Sequence, residues 1–307
     1  MKLRFEIEKQ KRKIEAKWNK ILAVALFVLM LFSEPLADKL LTITELHSVY
    51  ALAEKQPLAI YYPYTGNSGL TLIHCDCAVI LIDCGRSRAQ FDIDEFLENT
   101  NTQKIDLAIL THPDNDHLNM FVSVAGKIHI EKFITCEYSI QTGSEMIADL
   151  ESVLNAQGTA IETTHSGDSY IIGNMQINIV FPATVHKNSN NNSIVTRIIY
   201  GDFTALFMGD VTASNEKEIL ASGADVSADV LTVSHHGSAN ATSEEFIRAA
   251  APKYAVIMTS ESRYLPSGQT IARLSDFGCE IYRTDKSGLI AVCSNGEPNG
   301  IQIFTDR

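Results

Sequence analysis

The sequence predicts a layered α/β sandwich. Short apolar strand patterns recur along the chain, helical patterns alternate with them in both halves, and three strands end abruptly in histidine or aspartate. At 307 residues the chain is long enough for one or two domains with a full core. A hydrophobic share of 45% with 20% charged residues places it among globular proteins.

Taken in order, residues 38–56 read as a connecting helix. LAIYYPY (58–64) and LTLIHCDCAVILIDCG (70–85) are strand patterns, broken by turn residues at 65–69. A helical pattern covers 91–98. IDLAILT (105–111) is a short apolar strand stopped by His112-Pro113, and 147–157 is a helix stopped by Gly158. Strands follow at 175–181, 194–200 and 204–208, with Gly201-Asp202 as a hairpin turn. Another strand covers 231–234, and a helix begins near Ser243, a suitable N-cap. Strands at 254–259, 280–283 and 289–293 complete the second half. Neither half can bury its apolar faces alone, so sheet packs on sheet with helices outside.

The net charge of −12 is unevenly spread. Residues 1–20 hold eight Lys/Arg against three Glu, a net +5, so the rest of the chain carries about −17. An acidic body repels polyanions at long range, which disfavours a broad basic nucleic-acid surface. The apolar run ILAVALFVLMLF (21–32) follows the basic segment. It is shorter than the roughly 17–25 residues of a bilayer span but suits a secretory signal or an uncleaved signal anchor. The expectation is a protein exported or membrane-anchored through 21–32, with its main domain outside the cytoplasm. If the run is a plain N-terminal helix, the protein is cytoplasmic. Residues 1–37 are thus a targeting segment, 38–57 a linker and 58–307 the functional domain. The six cysteines suit disulfides in an exported chain, though buried free thiols are slightly preferred; Cys75-Asp76-Cys77 lacks the second pair of a zinc knuckle.

The chemistry concentrates at strand ends. His112-Pro113-Asp114-Asn115-Asp116-His117 places four ligand-competent side chains within six residues, just past an apolar strand. Imidazole with carboxylate suits Zn²⁺, Mn²⁺ or Fe, and the lack of thiolate argues against a purely structural zinc site. FTALFMGD (203–210) ends in Asp210, whose carboxylate can bridge two cations; LTVSHHGS (231–238) ends in His235, His236 and Ser238. Convergence of these ends at one sandwich edge makes a metal site.

These motifs, in this order and with Asn191-Asn192-Ser193 between them, resemble the metallo-β-lactamase superfamily. Within it the chain is similar to the ComEC-type branch, known from a bacterial DNA-uptake protein. The strand-end Asp83 in VILIDCG, and the segments HSGDSYIIG, PKYAVI and YRTDKSGLIAV, extend the likeness over about four-fifths of the chain. The resemblance implies a four-layered αββα sandwich and a hydrolase that uses water activated by two divalent cations, Zn²⁺ or Mn²⁺. It assigns His112 and Asp114 to one cation, Asp116, His117 and His235 to the other, and Asp210 to the bridge. His236 becomes the lesser ligand of its pair, there to orient substrate or other ligands. Asp83 braces the ligand loop, and Asn192 or Asn191 stands where many relatives have a metal-binding His. Asp116 or Asp114 orients the attacking water. The implied substrate is a phosphodiester, DNA foremost, or another small ester. A lactamase, lactonase or thioesterase, or a metal-containing binding module without turnover, are the alternatives. Two departures stand out: Leu265-Pro266 replaces a Gly-His-Pro segment, and Gly66-Asn67-Ser68-Gly69 replaces Gly-Gln-Gly-Asp.

Overall fold

The computed structural model describes residues 48–76, 78–86 and 91–307. The chain divides into two units, Met1–Ala51 and Leu52–Arg307; only residues 48–51 of the first are described. In the second unit the first sheet draws on β1 (Leu58–Tyr62), β2 (Leu70–Cys75), β3 (Ala78–Cys84), β5 (Leu107–Leu110), β7 (Phe133–Thr135), β8 (Ile161–Thr163), β16 (Ile290–Ser294) and β17 (Ile301–Thr305). Its order is β17-β16-β1-β2-β3-β5-β7-β8. The second sheet draws on β9 (Ser169–Ile172), β10 (Met175–Phe181), β11 (Val195–Tyr200), β12 (Phe203–Phe207), β13 (Val230–Thr232), β14 (Tyr254–Ile257) and β15 (Glu280–Arg283), in the order β15-β14-β13-β12-β11-β10-β9. Two-residue strands β4 (Lys104–Ile105) and β6 (His129–Ile130) pair separately. Each large sheet is antiparallel in one half and parallel in the other, β3-β5-β7-β8 in the first and β12-β13-β14-β15 in the second.

The period-2 pattern explains how the sheets face each other. Ile60 and Tyr62, Ile80 and Ile82, Leu107 and Ile109, Ile177 and Ile179, and Phe203 and Phe207 all enter one buried core between the sheets. Each such side chain stabilises the sandwich by roughly 1.5–3 kcal/mol. The alternate residues face helices. Tyr61 meets Phe96 of a helix at Ile93–Asn99, and Phe133 meets Phe121 of a helix at Phe121–Ala125. Across the molecule, Leu206, Leu231, Ala255 and Ile257 pack on Ile219, Phe246, Ile247 and Leu274. Those residues belong to helices Ala213–Ser222, Glu244–Ala250 and Gly268–Phe277. The result is the four-layered αββα sandwich.

Several expectations are corrected. Among the described residues no helix is long and apolar enough to cross a membrane, which corrects the expected membrane anchoring; the run 21–32 itself lies outside the described residues. The connecting helix covers only Val49–Ala53 of the described part of 38–56. Residues 105–111 split at Asp106, whose carboxylate accepts from the Val79 amide, so Lys104–Ile105 leaves to pair with β6. Helix Ala213–Ser222 went unforeseen because ASNEKEILAS offers few apolar positions; burial of Ile219 and the Thr212–Asn215 capping box hold it. Cys84, Cys136, Cys279 and Cys293 are free and buried and Cys75 is buried, while Cys77 lies outside the described residues.

Candidate metal centre

Strands β5 and β13 run parallel to their neighbours, and the chain leaves their carboxyl ends, with that of β12, at one edge. Beyond fully buried β5, Pro113 prevents the ladder from continuing, and a single helical turn forms at Asn115–Leu118. Asp114 occupies the N-cap position, yet its carboxylate caps nothing and is free for another partner. The turn is held from outside. The Asp116 carbonyl accepts from the Gly69 amide at 2.8 Å and from Ser68 Oγ at 2.8 Å. Gly85 passes so close that a Cβ there would lie 1.7 Å from the same carbonyl oxygen. The altered segment 66–69 is therefore part of the scaffold of the loop.

Three imidazoles meet at this edge. His112 and His117 have ring centroids 4.1 Å apart, and His117 and His236 5.7 Å. Their Nδ1 atoms are occupied. His117 Nδ1 contacts Asp83 Oδ2 at 2.7 Å, His236 Nδ1 the Met258 carbonyl at 2.9 Å, and His112 Nδ1 the hydroxyls of Thr111 (3.0 Å) and Ser193 (3.2 Å). Their Nε2 atoms are buried and have no hydrogen-bond partner. A buried polar atom left unpaired costs about 1–3 kcal/mol, so three converging ones call for something the side chains do not supply. An imidazole anchored through one nitrogen with the other free is the arrangement of a metal ligand.

Asp210 completes the cluster. It is 4% exposed, so its charge depends on the groups packed around it. Oδ1 lies 3.3 Å from His117 Nε2, and Oδ2 lies 4.0 Å from both His112 Nε2 and His236 Nε2. Two ligands of one tetrahedral cation at about 2.0–2.1 Å stand about 3.3 Å apart, so these spacings suit cation binding with small adjustment. Two groups, His112–His117–Asp210 and Asp116–His117–His236, each bring ligand atoms within 4.8 Å of one another. Asp83, Asp114, Asp116 and Asp210 supply four negative charges, which two divalent cations balance. The donor set fits a dinuclear centre.

Electrostatics without cations tells the same story. Burial, with the charge of His117, pushes His112 down to about 3. Burial also opposes charge on His117, but Asp210 and Asp83 outweigh it and hold this imidazole well above its usual range. Burial disfavours the Asp116 carboxylate, yet His236 and His117 keep it down at about 2. Asp210 is likewise well below the ordinary range despite burial, because of His117 and His236.

Placement departs from sequence expectation at several residues. His236, not His235, stands with Asp116 and His117: its Nε2 is 3.7 Å from Asp116 Oδ2. His235 Nε2 is 3.7 Å from Asp210 Oδ2 and is one-third exposed. Both histidines have left-handed backbone (φ 49° and 53°), which splays two consecutive side chains around one carboxylate. Asn192 does not face the centre. Its Oδ1 accepts from the His186 amide, and its Nδ2 donates to the carbonyls of His186 and Asn188. Ser238 caps the turn after His235, with its amide bonded to the His235 carbonyl. Asp114 lies at the rim, 3.7 Å from His112 Nε2 and two-fifths exposed. Asp83 takes bonds from both the amide and hydroxyl of Thr111 besides contacting His117. Thr111, Ser193 and the Met258 carbonyl were missed as orienting groups. Ser193 had a signal, its place in the Asn-Asn-Ser motif; a carbonyl has none.

Known proteins resemble this chain in fold and, over part of their length, in sequence. No family profile matches the chain. The metallo-β-lactamase fold protein YhfI from Bacillus subtilis superposes with a TM-score of 0.53 at 13% identity, covering 76% of this chain and 99% of that one. The fold is that of the metallo-β-lactamases. The metallo hydrolase Igni18 from Ignicoccus hospitalis superposes on this sandwich with a TM-score of 0.54 at 14% identity, over 76% of this chain and 98% of its own. By sequence, the chain is 29% identical over 201 residues to ComE operon protein 3 of Bacillus subtilis, covering 64% of this chain and 25% of that protein. It is 26% identical over 215 residues to Competence protein ComA of Neisseria gonorrhoeae, covering 69% and 28%. The chain thus spans about a quarter of the length of these relatives.

Proposed function

We propose that this protein is a dinuclear metal-dependent hydrolase of phosphodiesters, of the ComEC type. The observation that carries the reading is the trio of buried, unpartnered Nε2 atoms of His112, His117 and His236 converging on Asp210. His112, Asp114, Asp210 and His235 would hold one cation, and Asp116, His117, Asp210 and His236 the other. Two divalent cations, Zn²⁺ or Mn²⁺, supply Lewis acidity and lower the pKa of water from about 15.7 toward 7. The protein's own groups do the positioning. Asp83 keeps the His117 imidazole facing the centre, while Thr111 and Ser193 do so for His112. Asp116, ionised throughout the physiological range, would accept a hydrogen bond from the attacking water and so aim it. Asp114, at the open rim, is placed to do the same from the solvent side.

The phosphodiester preference is supported by likeness to a protein named for competence and by Asp114 in place of a further imidazole, a harder donor set than all-histidine. The net charge of −12 favours a short or single-stranded substrate over long duplex DNA. The test uses the full chain loaded with Mn²⁺ or Zn²⁺, measured by elemental analysis and assayed on bis(p-nitrophenyl) phosphate, single-stranded DNA and a chromogenic cephalosporin. Two cations per chain and phosphodiester turnover are expected, both lost in Asp210→Ala. Turnover of the cephalosporin alone would overturn the substrate reading, and a chain that takes up no cation would overturn the whole.

A further inference from the structure

The metal-binding groups straddle the seam between the two sheets. His112, Asp114, Asp116 and His117 follow β5 of the first sheet, whereas Asp210, His235 and His236 follow β12 and β13 of the second. Each cation of the proposed pair therefore takes ligands from both sheets, and its site keeps its shape only while the two sheet edges stay aligned. Polar crossings brace the seam at different places. On the His112 side, the Ile194 amide donates to the Thr111 carbonyl at 3.0 Å, and Ser193 Oγ meets His112 Nδ1 at 3.2 Å. On the side of Asp116 and His236, Asn67 makes the crossing from the turn between β1 and β2. Its Oδ1 accepts from the Ser260 amide at 2.7 Å and from Thr259 Oγ1 at 3.2 Å, both just beyond β14.

Both ends of this crossing lead to ligands. The neighbours of Asn67, Ser68 and Gly69, hold the Asp116 carbonyl through a hydroxyl and an amide, each at 2.8 Å. Two residues before Ser260, the Met258 carbonyl contacts His236 Nδ1 at 2.9 Å. Thr284 pins the intervening Thr259 within the second sheet. Its Oγ1 accepts from the Thr259 amide at 3.0 Å and donates to the Thr259 carbonyl at 3.1 Å. Thr259 and Thr284 are fully buried, so water does not compete for these bonds. A continuous path from Asp116 to His236 thus passes through the Asn67 amide oxygen. The crossing beside it, Thr71 Oγ1 on the Met258 sulfur at 3.7 Å, is weak because a thioether is a poor acceptor. Among the described residues, the bonds of the Asn67 side chain all leave its own turn, so they do not serve local turn geometry. His236 Nε2 stands 3.7 Å from Asp116 Oδ2, and a site of this kind tolerates only about 0.5 Å of misplacement. We propose that Asn67 is a positioning residue that sets the spacing of Asp116 and His236, and so governs the affinity of the second cation but not of the first. The role rests on the dinuclear reading for the cation itself.

Removing a group that supports a ligand typically lowers metal affinity about 10–100-fold. The experiment titrates the full chain with Mn²⁺ by calorimetry and follows it by electron paramagnetic resonance, which separates an isolated Mn²⁺ from a spin-coupled pair. Asn67→Ala is expected to weaken the second binding event by that factor and leave the first unchanged. Its spectrum at two equivalents of Mn²⁺ then loses the coupled pair. Asn67→Asp keeps an acceptor oxygen in the same place and restores both. Ser68→Ala cuts the path at its other end and weakens the second event less, because the Gly69 amide still holds the Asp116 carbonyl. Should Asn67→Ala not fold, Ser68→Ala carries the same test. Asn192→Ala is the comparison for lost stability alone: its side chain faces away from the centre, and both binding events stay. Wild-type affinity for the second Mn²⁺ in Asn67→Ala, or equal loss of both events, overturns the positioning role and leaves the dinuclear centre standing. Amide hydrogen exchange tests the brace in the metal-free protein, where the Ser260 amide is expected to exchange slowly in the wild type and fast in Asn67→Ala. Fast exchange in the wild type overturns the brace even if two cations bind. A wild-type chain that binds fewer than two Mn²⁺ overturns the dinuclear reading and the second-cation role with it.

Discussion

His235 is the residue on which the assignment of the two cations turns. Its Nδ1 is buried without a partner, and its Nε2 faces Asp210 while contacting Asn190 Nδ2 at 3.4 Å. Asn192 spends its amide on His186 and Asn188, so it contributes nothing to the centre beyond the shape of its loop. The two residues separate in a mutational test. His235→Ala is expected to lower the cation content from two per chain toward one with the melting temperature nearly unchanged. Asn192→Ala is expected to keep both cations but destabilise the fold by about 1–3 kcal/mol, because the His186 amide and carbonyl lose their partner. Elemental analysis alongside urea denaturation reads both; full cation content in His235→Ala would remove that residue from the ligand set.

Among the elements, the turn 66–69 and the end of β3 matter as much as the ligand loop they grip. Gly69 donates to the Asp116 carbonyl and accepts from the Gly85 amide, which ties three segments into one unit. Gly85→Ala places a methyl where backbone already stands, 1.7 Å from the Asp116 oxygen and 2.2 Å from its carbon. Overpacking of this kind costs about 1–3 kcal/mol, and relief requires the ligand loop to shift. The expected outcome is lowered stability together with weaker cation binding. Gly268→Ala is the control: nothing lies within 4 Å of its Cβ position, so stability stays level or rises slightly. Equal denaturation midpoints for the two variants would show that the tight approach is not structural.

At the scale of the whole molecule, the buried histidines make stability depend on pH in a definite direction. Burial, with the charge of His117, holds His112 at about 3, and burial holds His74 at about 4, whereas both titrate near 6.5 when unfolded. Between those values the unfolded chain binds more protons than the folded one, so stability falls as pH falls from 6.5 toward 4. Each group contributes about 1.4 kcal/mol per pH unit. His117 works oppositely: its raised value gives stability that is complete below 6.5 and lost only as pH rises through the folded value. The chelator-treated protein should therefore lose stability between pH 6.5 and 5, measured by urea denaturation. A flat profile would mean that neither His112 nor His74 is held neutral in the metal-free fold.

The residue kinds at the centre, and the strand ends that carry them, were legible in the chain itself. Pro113 halts one apolar strand beside a cluster of histidine and aspartate, and FTALFMGD and LTVSHHGS repeat the design. Continuous apolar runs in β3 and β5, and the alternation of β10, likewise announced two covered sheets. Which histidine of 235 and 236 joins Asp116 was decided only in three dimensions. Both lie in a left-handed turn fixed by the bond from the His235 amide to the Gly209 carbonyl and by Pro266 against Gly237. Those partners are distant in the chain, and no local pattern encodes the direction in which neighbouring side chains diverge. Asn192 turned away for the same reason: its amide is satisfied by the loop it closes, which only packing of the tertiary structure brings into place.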